Sequence, residues 1–232
     1  MVPLFFGCQP SHQERPDPGR FHGVNQDSQH LAAVSLHHWE DHSAAQSHES
    51  APLELHQQIA GTKEYIRLAH DLGVGGIKVR PNRVHDDQGI ELEKTFAQIG
   101  QSLQECAVFA SDWGVQVRLE VHGRITSDPT HMRAIMDHAP HPSACVCWNS
   151  NNTDVVGGSI DNSFALLGNR IGMVHITELW SEYPWRRLFS LLRDAGYNGY
   201  CLAEIAASSD SLRLMRYYRA LWLALSGLEA DA

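Results

Sequence analysis

Five short apolar runs in this 232-residue chain each end in a side chain able to bind an ion or move a proton. Lys78, Arg80 and Asn82 close the first run, and Glu120 and His122 the second. Asn149 closes the third, His175 the fourth and Glu204 the fifth. Two carboxylates, an imidazole and an amide oxygen make a nitrogen–oxygen donor set of the kind that holds a hard or borderline divalent cation. Burying two carboxylates together without a cation is costly, a further reason to expect one. Each residue alone also has a plainer reading: His175 as a hydrogen-bonded core histidine, Glu204 as the partner of an arginine, Asn149 as a loop cap. Lys78 and Arg80 suit a substrate hydroxyl or phosphate, and equally an ion pair with Glu120 inside the fold.

Whether these donors meet depends on the elements that carry them. Val115–Arg124 alternates strictly, with Val115, Val117, Leu119 and Val121 on one face and Arg118, Glu120 and His122 on the other, which is the period of a strand. Asp128 and Pro129 then supply a helix cap and first-turn proline, so the polar residues stand at the C-terminal end of a strand feeding a helix. The same alternation predicts strands over 76–82, 144–149, 171–177 and 200–205. Helical spacing predicts helices over 55–72, 92–113, 132–136, 160–167, 184–195 and 209–225, several closed by a glycine such as Gly73, Gly114 or Gly196. Strand and helix alternate as βαβ units, which implies a parallel sheet with its reactive edge at the strand C-termini.

Composition narrows the function classes. A hydrophobic content of 43% and a charged content of 19% are those of an ordinary globular protein. A net charge of −9 argues against nucleic acid and anionic membrane as partners. No apolar run reaches the roughly 20 residues of a membrane span, and the apolar opening Met1–Cys8 has no basic residue before it, so a cytoplasmic location is expected. The five cysteines lack framework spacing and read as reduced thiols, with Cys145 and Cys147 as buried small side chains sooner than a zinc pair. Residues 1–52 form a divergent or poorly ordered N-terminal segment with one strand candidate at 31–36; they hold seven of the fifteen histidines without ligand spacing. Residues 53–228 make up a single barrel domain.

Four motifs carry a family resemblance: Leu-Glu-Val-His (119–122), Trp-Asn-Ser-Asn-Asn (148–152), Val-His-Ile-Thr-Glu (174–178) and Gly-Tyr-Asn-Gly-Tyr-Cys-Leu-Ala-Glu (196–204). From about His56 to Leu225 the chain resembles the xylose isomerase-like barrels, specifically the sugar phosphate isomerase/epimerase family. The resemblance implies a (β/α)8 TIM-type barrel whose last four strands end in Glu, Asp, His and Glu around one divalent ion (Mn, Mg, Co or Zn). By motif, Glu120, Asn149, His175 and Glu204 are the metal candidates, and Glu120 and Glu204 the paired acid and base on either side of a sugar. Lys78, Arg80, Asn82, His122 and Asn152 are the substrate-binding candidates. Two positions depart from the pattern. Asn149 replaces the aspartate and can still ligate through its carbonyl oxygen, but it removes a negative charge, and Asp154, five positions on in the loop, is a long reach for restoring it; Asn152 replaces a histidine, for which His122, on the correct strand face, is a substitute.

Length sets a further expectation. If 115–122 is the fifth strand and 76–82 the fourth, about 30 residues remain before the third for two βα units that need roughly 30 each. The barrel is therefore expected to be incomplete or degenerate in its first two strands, with an exposed gap that leads either to pairing with another chain, as in a homo-oligomer, or to poor stability. The expected function is a metal-dependent isomerase or epimerase acting on a sugar or sugar phosphate through an enediolate. Three alternatives stay open: a catalytically degenerate barrel that binds sugar or serves a structural role, a lyase or dehydratase, and an endonuclease IV-like enzyme, which the acidic charge disfavours.

Overall fold

The structure is a computed structural model that describes residues 5–7, 34–35, 51–81, 84, 86 and 89–228. Of the sequence candidates, Asn82, Cys8 and the histidines of residues 1–52 lie outside the described residues.

Seven strands form one sheet: β1 (Phe5–Gly7), β2 (Val34–Ser35), β3 (Gly76–Val79), β4 (Gln116–Glu120), β5 (Ala144–Trp148), β6 (Ile171–Ile176) and β7 (Tyr200–Ala203). The order is β1-β7-β6-β5-β4-β3-β2. From β2 to β7 every neighbouring pair is parallel, and the strands curl into a half-barrel. Helices α1 (Ala51–Asp71), α2 (Leu92–Ser111), α3 (Pro129–Asp137), α4 (Asp161–Leu167), α5 (Trp185–Asp194) and α6 (Ser211–Ser226) alternate with β3–β7. Among the described residues the strands make up a half-barrel, in line with the expected incompleteness. β2 occupies part of the 31–36 candidate, and β1, which the sequence pattern did not suggest, pairs antiparallel with β7. Among the described residues β1 and β2 each pair on one side only.

The strand alternation sorts side chains as the pattern predicts. Ile77, Val79, Val117, Leu119, Val146, Trp148, Val174 and Ile176 belong to the large apolar core between sheet and helices. Their alternates face the concave side, where Cys147, Met173 and Leu202 form a small second cluster below the polar strand ends. Helix boundaries follow local chemistry. The Asp128 side chain accepts from the Thr130 amide at 2.8 Å to start α3. Gly73, Gly114 and Gly196 take left-handed conformations after α1, α2 and α5, as the sequence led one to expect.

Close approach of α2 and α3 depends on Gly100. A Cβ there would lie 2.4 Å from the Ile135 carbonyl oxygen and 2.5 Å from His138 Cβ. Gly100→Ala is therefore expected to destabilise the chain by about 1–3 kcal/mol, since overpacking exceeds alanine's helical advantage. A urea titration checks this; an unchanged or raised midpoint would contradict the packing described.

Candidate active site

The polar strand ends converge as the alternation requires. Glu120 is the last residue of β4, Asn149 follows β5, His175 lies near the end of β6, and Glu204 follows β7 with its amide donating to the Ile176 carbonyl at 2.8 Å. His175 Nδ1 lies 3.0 Å from Asn149 Oδ1, 3.1 Å from Glu204 Oε2 and 3.3 Å from Glu120 Oε1. One ring nitrogen thus faces three oxygens. A single N–H serves one acceptor well, and Glu120 Oε1, buried, has no hydrogen-bond partner among the described residues.

That crowding is the observation against which a metal is tested. Donors about 3 Å apart are what an ion with bonds of about 2.1 Å and right-angled neighbours requires. The ligand atoms offered by Glu120, His175 and Glu204 all lie within 4.8 Å of one another. The donor set and its spacing fit a divalent ion, which would compete with the proton on His175 Nδ1.

The charge argument for an ion is corrected by the structure. Lys78 Nζ and Arg80 Nε both donate to Glu120 Oε2, each at 2.7 Å. These two cations already offset the two carboxylates, so oxygen geometry, and not unpaid charge, is what favours a metal here. Lys78 is 4% exposed and Glu120 fully buried, and both Lys78 and Arg80 are engaged in the ion pairs that the sequence offered as their second reading. Burial by itself would raise the Glu120 carboxyl; the His175 contact and the Lys78 charge outweigh it and hold the group well below the usual range. Burial opposes a charged His175 ring, but the neighbouring Cys147 sulfur and the Glu120 and Glu204 carboxylates raise it above an ordinary histidine. The bond to His175 lowers Glu204.

Asp154 does not join the cluster. It is buried, and its Oδ2 accepts from Tyr183 Oη at 2.9 Å and from the Asn151 amide at 2.8 Å. Its place in the fold is a hub for loops. Trp148 Nε1 donates to Tyr183 Oη at 3.0 Å, Ser163 Oγ donates to the Asp154 carbonyl at 2.8 Å, and Asn151 Nδ2 donates to the Val121 carbonyl at 2.6 Å. The segments after β4, β5 and β6 are so tied together beside the four donors. Between Asn149 and this hub stands Ser150, the one non-glycine residue with positive φ (49°) among the described residues. Its Oγ donates to the His175 carbonyl at 2.8 Å, pinning the turn that delivers Asn149.

Of the remaining candidates, His122 lies just beyond β4, half-buried, with Nδ1 buried and without a hydrogen-bond partner among the described residues. Asn152 is exposed on the 3-10 turn Asn152–Asp154 and makes no hydrogen bond to the four donors. Cys145 and Cys147 are buried free thiols on the concave face. No helix among the described residues is long and apolar enough to cross a membrane.

Comparison with known proteins places the chain in a family. The model of the xylose isomerase-like TIM barrel family matches residues 27–221, and the chain belongs to that family. A Xenopus laevis protein named for hydroxypyruvate isomerase is 26% identical over 173 residues, covering 66% of this chain and 62% of its own length. A D-tagatose 3-epimerase-like protein superimposes with a TM-score of 0.64 at 14% identity, over 85% of this chain and 79% of that one. D-psicose 3-epimerase from Clostridium cellulolyticum H10, solved with D-tagatose, gives 0.53 at 19% identity, over 65% of this chain and 55% of that one. The chain thus spans less than two thirds of the length of the Xenopus relative and of the Clostridium epimerase. At these identities the structural likenesses bear on the fold.

Two predictions follow from the geometry. Lys78→Met leaves Glu120 short of one buried cation and should cost about 3–5 kcal/mol of stability, measured by denaturant unfolding; a loss under about 1 kcal/mol would mean the pair is not buried as described. The second concerns Asp154. Burial raises its carboxyl to about 7 against the Tyr183 and Asn151 bonds, from an ordinary 3.8. Its protonated form is favoured by folding, so its stabilising contribution is present below about pH 4 and lost as pH rises to about 7. Asp154→Asn should therefore gain on the wild type across that window by as much as about 4 kcal/mol. Parallel stability curves for the two proteins would rule this out.

Proposed function

We propose that the chain is a divalent-metal-dependent isomerase or epimerase of a small polyhydroxy carbonyl compound, a sugar or a sugar-like keto acid. The observation that carries this reading is the meeting of Glu120 Oε1, Asn149 Oδ1, His175 Nδ1 and Glu204 Oε2 at the C-terminal strand ends. Support comes also from the family and from the names its relatives bear, hydroxypyruvate isomerase and D-psicose 3-epimerase.

In this reading Glu120, Asn149, His175 and Glu204 hold the ion. When bound, the ion supplies Lewis-acid polarisation of a substrate carbonyl and its neighbouring hydroxyl. The rest is the work of the chain. Lys78 and Arg80 keep Glu120 ionised and in place. Ser150 and the Asp154–Tyr183 hub hold Asn149 and His175 in register. Glu120 and Glu204 are the carboxylates beside the substrate carbon, where a proton leaves and returns. His122 and Asn152, at the same edge, are proposed to meet substrate hydroxyls.

One observation favours a second reading, a barrel that has lost catalysis: Asn149 where the family pattern has aspartate, in a group whose carboxylate charge Lys78 and Arg80 already offset. Metal analysis separates the two. After dialysis against Mn2+ and removal of excess, the wild type should retain about one ion per chain. Glu204→Gln should weaken retention by roughly 10-fold or more and abolish proton exchange at the substrate carbon. No retained ion in either protein would overturn the enzyme reading in favour of the second.

A further inference from the structure

Two cations share one oxygen of Glu120, but they are not spent alike. Lys78 is 4% exposed and delivers its ammonium to Oε2. Arg80 reaches the same oxygen through Nε at 2.7 Å, which leaves the two Nη groups of its guanidinium. Neither makes a hydrogen bond among the described residues, and neither is among the buried polar atoms that lack a partner. This end of the side chain, 22% exposed overall, therefore reaches solvent. Most of the donors of the guanidinium stand unspent, in one plane, at the C-terminal strand ends.

The position of this fork follows from the strands. Val79 pairs with Leu119 in the parallel register, so Arg80 and Glu120 come next, side by side. Glu120 stands between the fork and the donor cluster, with Oε2 on Arg80 and Oε1 3.3 Å from His175 Nδ1. A substrate held at the cluster thus has the fork for a neighbour, one carboxylate away. His122, two residues beyond Glu120, adds a buried Nδ1 without a hydrogen-bond partner among the described residues. Charge points the same way. Lys78 and Arg80 balance Glu120 and Glu204, and Asn149 adds nothing. Any cation taken up by the cluster therefore leaves the mouth positive by its full charge, where an aspartate at position 149 would remove one unit. Among partly buried groups such a surplus favours a ligand that brings negative charge.

From fork and surplus together we infer that Arg80 donates to an oxyanion of the substrate, which makes the substrate an acidic hydroxy ketone, bearing a carboxylate or a phosphate, and sets neutral sugars aside. A guanidinium meets either oxyanion through paired, parallel hydrogen bonds, which an ammonium cannot form. Arg80 then has two tasks on two parts of one group. Nε holds Glu120 in place, and Nη1 and Nη2 hold the acid group of the substrate. The inference rests on the proposed function and narrows its substrate to the charged kind.

Three small hydroxy ketones that differ at one end supply the test: hydroxypyruvate ends in a carboxylate, dihydroxyacetone phosphate in a phosphate and dihydroxyacetone in a hydroxyl. Binding of each to the full chain with Mn2+ is measured by calorimetry, and deuterium uptake from D2O by mass spectrometry. The wild type should bind at least one acid about tenfold or more tightly than dihydroxyacetone, and the acid preferred separates a carboxylate site from a phosphate site. Arg80→Lys keeps a cation on Glu120 but loses the fork. Its preference should fall to about threefold or less, with dihydroxyacetone bound as before. Equal binding of all three ketones by the wild type, or an undiminished preference in Arg80→Lys, would overturn the inference, while deuterium uptake would leave the proposed function standing. A preference for acid without deuterium uptake from any probe would keep the acid-binding fork and overturn the proposed function. Binding of none would overturn both. Should Arg80→Lys fail to fold, a crystal structure of the wild type with the tighter-binding acid decides. Its oxyanion on Arg80 Nη1 and Nη2 supports the inference; an oxyanion turned away from Arg80 refutes it.

Discussion

The ion-paired triad of buried Lys78 and Glu120 with half-buried Arg80 is the interaction on which the rest of the site depends. The charges of Lys78 and Glu120 cost several kcal/mol each to bury, and the cost is met only while all partners stay in place. The parallel register of β3 and β4 aligns Lys78 with Arg118 and Val79 with Leu119, which brings the ends of the two strands side by side. Because Glu120 Oε2 is held by two cations, Oε1 is left facing His175, and the ring in turn gathers Asn149 and Glu204. A triad of this kind is a poor source of net stability but a strong constraint on orientation. It leaves a carboxylate with no exposed surface one oxygen turned toward the other donors.

A second layer of order comes from the loops. The left-handed turn at Ser150, which a residue with a Cβ adopts at some cost, is retained by a hydrogen bond to the backbone of the very histidine at the centre of the cluster. Asp154 and Tyr183 then join the loop after β5 to the loop after β6, and Asn151 joins it to the chain leaving β4. Three of the four donors sit at the ends of the neighbouring strands β4 to β6, whose following segments are bonded to each other. Such cross-bracing limits the freedom of side chains that, in the proposed function, would hold an ion.

Much of this was legible in the chain. Period-two alternation placed Glu120 and His175 on the concave side of their strands, and the alternation of strand and helix was enough to bring their ends together. The positions of α1 to α6 followed from apolar spacing and from caps such as Asp128 and Gly114. What was not legible depends on neighbours distant in sequence. Nothing around Lys78 or Arg80 chooses between a substrate and Glu120 forty residues on; the register of two strands makes that choice. The sequence around Asp154 gives no sign of its partner, since Tyr183, which donates to it, lies 29 residues later. Ser150 carries no local sign of its backbone conformation. The antiparallel pairing of β1 with β7 joins opposite ends of the chain, and three residues give no periodicity to read.

Among the described residues the half-barrel brings β4 to β7 together, and the account stands on those four strands. Its central claim is that side chains from β4 to β7 share one cation. The most direct measurement is an anomalous difference map from crystals of the chain grown with Mn2+. The account predicts a single strong peak within about 2.5 Å of Glu120 Oε1, His175 Nδ1 and Glu204 Oε2 together. A map with no peak there, or with manganese bound to other side chains, would contradict it.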